Sequence, residues 1–369
     1  MAPVVTVLPP RERFAPGQAG AISLLVRRLA DVGDVVVGTA VAAPFDGVTF
    51  RPAVPGLWPP AWIAGGAGRY AAAVARIVRA VRPALVEIHN RPDVAWALAR
   101  RFPRLPMMLV LHNDPQAMRG AASPGGRAAI LRRMRVVAVS GWVRGRFVAG
   151  LPTGAGVDVV PNCIDLAGLP PALPPAGRDR TILFAGRVVA DKGADAFVAA
   201  CGAVLPDLPG WRARMIGADR FGPDSPDTPF LEALRPLARA AGVDMAGYRP
   251  HDRVLAEMAR AAIVVVPSRW PEPFGLTALE AMACGAALVA SPRGGLPDLV
   301  GDAGLLVPPD PETGLADAIR DLARSADRRA DLSARGRARA RLFDCAAART
   351  TLRGLRRAGI AAGGAGPGA

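Results

Sequence analysis

"IVVVPSRWPEPFGLTALEAMACG", residues 263–285, reads as a strand, a turn and a helix in direct succession. "IVVVPS" (263–268) is a short β-branched run closed by turn residues, the pattern of a strand buried on both faces. Residues 276–284 carry helical spacing. Two glutamates, Glu272 and Glu280, stand eight residues apart around the glycine turn that joins them. A helix that opens at such a turn leaves the amides of Gly275, Leu276 and Thr277 without intrahelical partners, free to receive phosphate or sugar oxygens. Glu280, one to two turns into the helix, is placed to accept hydrogen bonds from a vicinal diol such as a ribose. Taken singly, the two carboxylates are equally a dipole-favoured helix-start acid and a buried structural acid.

The same unit repeats in both directions. "VVTVL" (4–8), "DVVVGTA" (34–40), "ALVEIH" (84–89), "MMLVLH" (107–112), "RVVAVS" (135–140) and "VDVVPN" (157–162) are strand-like, with helix-length segments such as 18–31, 69–81 and 141–149 between them. "LAGLPPALPPAGRDR" (166–180) is too rich in proline to continue a sheet or a helix and reads as a linker. Beyond it "TILFAG" (181–186), "WRARMIG" (211–217), "VDMAGY" (243–248), "IVVVPS" and "ALVAS" (287–291) alternate with helical segments 192–204, 229–241, 251–261 and 276–284, and 312–357 is almost wholly helical. Strand–helix alternation implies parallel sheets covered on both faces. A chain of 369 residues suits two such units. The expected architecture is α/β, two Rossmann-like doubly wound domains facing across a cleft, with residues 1–165 and 181–345 as the domains. Residues 346–369 form a C-terminal helix and a Gly-rich tail, "GIAAGGAGPGA" (359–369), expected to be disordered. Ligands of open parallel sheets bind beyond the carboxyl ends of the strands.

Totals exclude several classes. No run of 18 uncharged apolar residues predicts a membrane-spanning helix, and the N-terminus lacks a cationic start followed by an apolar segment, so neither a transmembrane span nor a signal peptide is expected. Cys163, Cys201, Cys284 and Cys345 are scattered, as buried cytosolic thiols are. Three histidines without ligand spacing predict no metal site. The net charge of +15 is carried by arginine, Lys192 being the one lysine, a skew that a GC-rich genome also produces. Its distribution is more telling. Residues 115–157 contain no acid but Arg119, Arg127, Arg132, Arg133, Arg135, Arg144 and Arg146. A one-signed segment favours an anionic partner. Only Trp142 and Phe147 interleave with these arginines, so an anionic glycolipid or membrane surface is expected rather than a nucleic acid. A second cluster, Arg335 to Arg357, reads as a solvated helix face.

After "TILFAG" come Arg187, Lys192 and Gly193 at a helix start, a pattern suited to a diphosphate. His89 and His112 end two neighbouring strands. The E-x7-E spacing of Glu272 and Glu280, after "VVPS" and before "AMACG", resembles the signature of retaining glycosyltransferase family 4, whose architecture is the twin-Rossmann GT-B fold. "FAGRVVADKG" (184–193), "GGLPDLV" (294–300), "AGLLVPPDPE" (303–312), "VVAVSGWVRGRF" (136–147) and "VVPNCIDL" (159–166) resemble further segments of that family, so the likeness runs from about residue 5 to about residue 345. The resemblance implies an N-terminal acceptor domain and a C-terminal nucleotide-sugar domain. Arg187 and Lys192 would neutralise the donor diphosphate, Glu280 hold the ribose, and Glu272 contact the sugar hydroxyls. Phe274, Gly275, Leu276 and Thr277 would form the sugar and phosphate turn. Tyr248 and Arg249, in "YRPH" (248–251), would lie by the nucleobase. "FAPGQAGAIS" (14–23) resembles the family's glycine loop, with Ala19–Gly20 in place of a Gly-Gly pair, so Gly20 is a donor contact. His112 would sit beside the anomeric centre, with His89, Asn90, Asn113, Asp114 and Arg119 on the acceptor side; His251 is a helix-start residue. "HNRP" and "LHNDPQAMRG" resemble a branch of lipopolysaccharide-core and spore-coat transferases.

The resemblance implies a metal-independent, retaining transfer of a hexose-type sugar from a UDP- or GDP-linked donor to a glycan or glycolipid. No further cofactor is expected, and the setting is the cytoplasm, peripherally at the inner membrane face. Two other readings stand beside it: a nucleotide-sugar epimerase or phosphorylase on the same fold, and a basic protein that binds an anionic polymer.

Overall fold

A computed structural model describes residues 2–56, 61–171, 173–220 and 225–364. The chain forms two compact units, Met1–Asn162 with Cys345–Ala369, and Cys163–Asp344.

The first unit runs β1 (Val4–Val7), α1 (Ala21–Leu29), β2 (Val35–Gly38), β3 (Thr49–Pro52), α2 (Ala61–Val81), β4 (Leu85–His89), α3 (Pro92–Arg101), β5 (Met107–Leu111), α4 (Pro124–Arg133), β6 (Arg135–Ala138), α5 (Gly141–Val148) and β7 (Val157–Val159). Its sheet is parallel throughout, in the order β3-β2-β1-β4-β5-β6-β7. Strands β1, β2, β4 and β5 are buried along their whole length, which is why they read as largely apolar runs, interrupted by Thr6 in β1 and by the buried Glu87 and His89 of β4. β3, "TFRP", was not expected, because an exposed edge strand has no apolar run to announce it.

The second unit runs β8 (Asp179–Ala185), α6 (Ala194–Val204), β9 (Arg212–Ile216), α7 (Pro229–Ala240), β10 (Val243–Gly247), α8 (His251–Arg260), β11 (Ala261–Val266), α9 (Leu276–Ala283), β12 (Ala287–Ala290), α10 (Leu296–Val300), β13 (Leu305–Leu306), α11 (Glu312–Arg324) and α12 (Ala326–Arg341). Its order is β10-β9-β8-β11-β12-β13, again all parallel. Ile263, Val264 and Val265 of β11 are almost wholly buried, each worth roughly 1.5–3 kcal/mol in apolar burial. In both sheets the strand order reverses beside the first strand of the unit, between β1 and β4 and between β8 and β11. Crevices at such reversals are where open α/β sheets bind ligands.

The boundaries differ from the expected ones. The proline-rich 166–180 stretch belongs with the second unit. Arg178 anchors it: its guanidinium is buried and donates to the carbonyls of Ala261 (3.1 Å), Met258 (3.3 Å), Leu173 (3.4 Å) and Cys284 (2.5 Å). Burial, with Arg337 nearby, lowers its pKa to about 10. The last helix, α13 (Cys345–Gly364), returns to the first unit. The Gly-rich tail is helical as far as Gly364, with Gly359 packed so close to Leu85 that an added Cβ would lie 3.2 Å from it. Residues 365–369 lie outside those described. Nor is the second arginine cluster a purely solvated face. Arg356 is buried and pairs with Glu87 (2.8 Å) and Asp34 (3.0 Å), while Arg353 pairs with Asp31 (2.5 Å).

Replacing Arg178 by alanine strands several buried carbonyls. Urea unfolding of Arg178→Ala is expected to show a loss of about 3 kcal/mol, as removal of a buried charged donor does; a loss under about 1 kcal/mol would mean that water satisfies these carbonyls as well.

Candidate functional site

The strand-order reversal of the second unit is built from the loop after β8 and the loop after β11. The first carries Arg187 and a 3-10 turn, Ala190–Lys192, and ends at Gly193, which is left-handed (φ 68°) and caps α6. The two loops meet backbone to backbone. Asp191 O accepts the amides of Arg269 (2.9 Å) and Trp270 (2.9 Å) and the hydroxyl of Ser268 (3.2 Å). A Cβ at Gly193 would stand 1.9 Å from Pro267 O, so no other residue fits. Arg269 braces the junction through Asp195 (2.6 Å), Asp310 (2.7 Å) and Ala190 O (3.1 Å).

On this frame the Lys192 ammonium pairs with the Glu272 carboxylate. Lys192 is the one lysine in a chain whose Lys+Arg total is 46. Every other basic position takes arginine's flat fork, and this one takes a compact ammonium. Glu272 is itself fixed by its backbone, which bridges Gly294 and accepts the Gly295 amide at 2.6 Å. α9 opens at Gly275, left-handed (φ 101°), with no side-chain cap on its first amides. Glu280 is buried in the second turn of α9, and its Oε1 pairs with His251 Nε2 at 2.7 Å. His251 begins α8, directly after Tyr248–Pro250. Reading the sequence left His251 as a helix start only; nothing in either motif announces a contact between residues 29 positions apart. Arg249 folds back onto Tyr248 O (2.9 Å). Arg187 is half-buried and has no ion pair or hydrogen-bond partner for its guanidinium among the described residues. One unit therefore gathers Arg187, Lys192, Glu272, the Phe274–Thr277 turn, Glu280 and the 248–251 loop at or beside the reversal.

The first unit places its candidates differently from the expectation. Gly20 does open α1, but the Glu12 carboxylate already occupies that helix start. It accepts the Ser23 amide (3.2 Å), and a Cβ on Gly20 would lie 2.6 Å from it. An anion bound at Gly20 has to displace Glu12. His89 is not at the surface. It lies behind His112, its Nδ1 2.8 Å from His112 Nε2 and its Nε2 2.8 Å from Glu87 Oε1. Asn90, left-handed (φ 57°), accepts the amides of His112 (3.0 Å) and Asn113 (3.2 Å), so it holds the loop's backbone. Asp114 caps the Pro115–Ala117 turn and pairs with Arg146 (2.9 Å). Asn113 and Arg119 are exposed. Burial, followed by the neighbouring His89, drives the His112 pKa well below the usual histidine range.

The acid-free 115–157 segment spends four of its seven arginines on the fold. Arg127 is buried and donates to four carbonyls, among them Phe147 O at 2.7 Å. Arg133 binds carbonyls beyond α3, Arg135 pairs with Asp158 and Arg146 with Asp114. Arg119, Arg132 and Arg144 stay exposed and without side-chain partners among the described residues.

Comparison with known proteins bears on the family and the fold. Residues 169–339 match the family model described as "Glycosyl transferases group 1", and residues 17–167 match "Glycosyltransferase Family 4". The D-inositol 3-phosphate glycosyltransferase of Frankia alni is 32% identical over 292 residues, covering 72% of each chain. Other curated relatives are matched over only 17–44% of their own length. The sucrose-phosphate synthase structure from Thermosynechococcus elongatus superposes with a TM-score of 0.79 at 21% identity, covering 98% of this chain and 100% of that one. Anabaena HepE, solved with UDP-glucose, superposes at 0.75 and 20% identity, covering 96% and 99%.

His112 and Glu87 set an acid limit on stability. The folded chain refuses a proton at His112 that the unfolded chain takes up below pH 6.5. Burial raises the Glu87 pKa, but Arg356 and His89 outweigh it and hold the carboxyl far below the usual range, so it too resists protonation below 4.5. The unfolded form binds more protons in both windows, so stability falls as pH drops below 6.5 and again below 4.5. Melting temperature followed against pH is expected to show this, with the upper slope flattened in His112→Gln.

Proposed function

We propose, from the premise that this chain belongs to the family 4 glycosyltransferases and has their GT-B fold, that it moves a hexose-type sugar from a UDP- or GDP-linked donor to a glycan or glycolipid with retention of configuration. The observation that carries the reading is the Lys192–Glu272 pair at the strand reversal of the second unit, beside the uncapped start of α9. A diphosphate brings negative charge and needs donors. Arg187, whose guanidinium has no partner among the described residues, and Lys192, which pairs with Glu272, supply them with the first amides of α9. These donors stabilise the departing nucleoside diphosphate without help from a metal. Glu280, with one oxygen on His251, offers the other to the ribose hydroxyls. Glu272 orients the donor sugar through its hydroxyls, and its fixed backbone keeps it in place. His112 sits beside the anomeric centre. The acceptor hydroxyl then attacks on the face from which the diphosphate leaves, and a phosphate oxygen takes its proton. That structural relatives were solved with UDP and UDP-glucose supports a uridine donor first.

The setting proposed is the inner face of the cytoplasmic membrane, in surface-polysaccharide or lipopolysaccharide synthesis. No helix among the described residues is long and apolar enough to cross a membrane. Arg119, Arg132 and Arg144 are the part of the basic segment left for an anionic surface.

Incubation with UDP-, GDP- and ADP-sugars, reading nucleoside diphosphate release, tests the reaction. Release from one donor is expected. Arg187→Ala should lower kcat by about 10²–10³, the usual cost of losing one transition-state donor. Glu280→Ala should act mainly on donor affinity, raising KM about tenfold for one lost hydrogen bond to a charged group. Absence of both binding and release with every donor would return the site residues to a structural role. For the membrane, flotation with phosphatidylglycerol vesicles at low salt is expected to capture the protein and to fail for the Arg119→Glu, Arg132→Glu, Arg144→Glu triple variant; equal capture of both would locate the contact elsewhere.

A further inference from the structure

The buried polar chain behind His112 has no part in holding a donor. It runs His112 Nε2 to His89 Nδ1 (2.8 Å), His89 Nε2 to Glu87 Oε1 (2.8 Å), Glu87 Oε2 to Arg356 Nε (2.8 Å), and Arg356 to Asp34 Oδ2 (3.0 Å). His89, Glu87, Asp34 and Arg356 are all buried, and the two imidazoles stack with centroids 5.1 Å apart. Around the chain, Asp31 pairs with Arg353 and approaches Arg356 at 3.7 Å, and Asp34 also takes the amides of Val4 and Asp31.

Hydrogen-bond direction follows from the ends. Glu87 is ionised beside Arg356, so its oxygens only accept and His89 Nε2 must carry a proton. A neutral His89 then presents a lone pair at Nδ1, and His112 must donate from Nε2, which leaves its own Nδ1 as an acceptor. If His89 holds a second proton, the shared bond reverses: His89 Nδ1 donates to His112 Nε2, and His112 carries its proton at Nδ1. Counting the charges shows where a proton is welcome. With His89 neutral, Glu87, Asp34 and Arg356 sum to one negative charge, and a proton on His89 cancels it. Nε2 of His112 is committed to His89, and its Nδ1 has no protein partner among the described residues.

We propose that His89, Glu87 and Arg356 are positioning residues that form a proton relay for His112, so that it presents either an acceptor or a donor at Nδ1 while the positive charge rests on His89. A proton from a donor-sugar hydroxyl, not the acceptor proton that a phosphate oxygen takes, forms a bond to His112 Nδ1 as its O–H bond breaks. The Nε2 proton of His112 passes to His89 Nδ1, and the hydroxyl oxygen keeps its electron pair. His112 changes tautomer without becoming charged, and Glu87 stabilises the imidazolium of His89. This rests on the reading that His112 lies beside the donor sugar, but the relay is observable without turnover.

The chain has three histidines, so its 15N-histidine NMR spectrum holds three ring systems, and His251→Gln removes the one outside the relay. Proton uptake by the hydrogen-bonded pair is expected to shift His112 from the Nε2–H to the Nδ1–H tautomer without making it the imidazolium. Glu87→Gln keeps an acceptor for His89 but no charge. It should suppress that uptake, hold His112 as Nε2–H, and lower kcat for UDP-glucose about tenfold with KM unchanged. His112 turning into the imidazolium itself, or keeping one tautomer throughout the wild-type titration, would overturn the relay even where Glu87→Gln fails to fold. Relay spectra without turnover of any donor would sink the sugar-transfer reading alone. Turnover without relay spectra would sink the relay alone.

Discussion

The second unit depends on two loops lying closer than side chains permit. Its strand order reverses between β8 and β11, and the loops leaving those strands meet at that point. They do so through bare backbone. Gly193 lies against Pro267 O with room for a hydrogen and not for a methyl group, and the loops after β9 and β12 press on them in the same way, Gly217 against Gly186 O and Gly294 against Glu272. The result is a platform whose shape is set by main-chain hydrogen bonds, with few rotamers left to settle. Lys192 and Glu272 stand on that platform, and their pairing costs little conformational entropy because the backbone beneath each is already fixed. Arg269 adds a clamp from outside, joined to Asp195 and Asp310 on different elements.

Much of this was legible in the sequence, and for a physical reason. Strands buried on both faces are mainly apolar, so β1, β2, β4, β5, β11 and the buried end of β8 announce themselves. Glycines at Gly193 and Gly275 flank the residues expected to hold phosphate, and both are left-handed. What stayed hidden depended on long-range pairing. The partnership of His251 with Glu280, the seat of Glu12 at α1 and the burial of His89 each join segments with no local pattern in common. β3 was missed because an edge strand carries no apolar signature, and composition cannot reveal that Arg178 ties the proline-rich stretch to the carbonyls of Ala261 and Cys284.

Arginine use in this chain shows how far a charge count can mislead. A net charge of +15 suggests an adhesive surface. Yet Arg127, Arg178 and Arg356 are buried, each serving as a multi-pronged donor that ties distant carbonyls or carboxylates together. A guanidinium is weakly hydrated and rigid, so it can be buried where an ammonium would be expelled or lose its proton. The excess of positive charge is thus partly internal scaffolding.

The path of the chain has a consequence for how the protein is made. The first unit is left at Asn162 and rejoined at Cys345, with the whole second unit spliced between. During synthesis Glu87 and Asp34 emerge long before Arg356, which is the partner that offsets their burial. Until α13 arrives, Glu87 and Asp34 lack the guanidinium that offsets their burial, so this part of the first unit must stay loosely packed or keep them hydrated. The second unit is contiguous from Cys163 to Asp344. The half that begins first on the ribosome is therefore the half that finishes last.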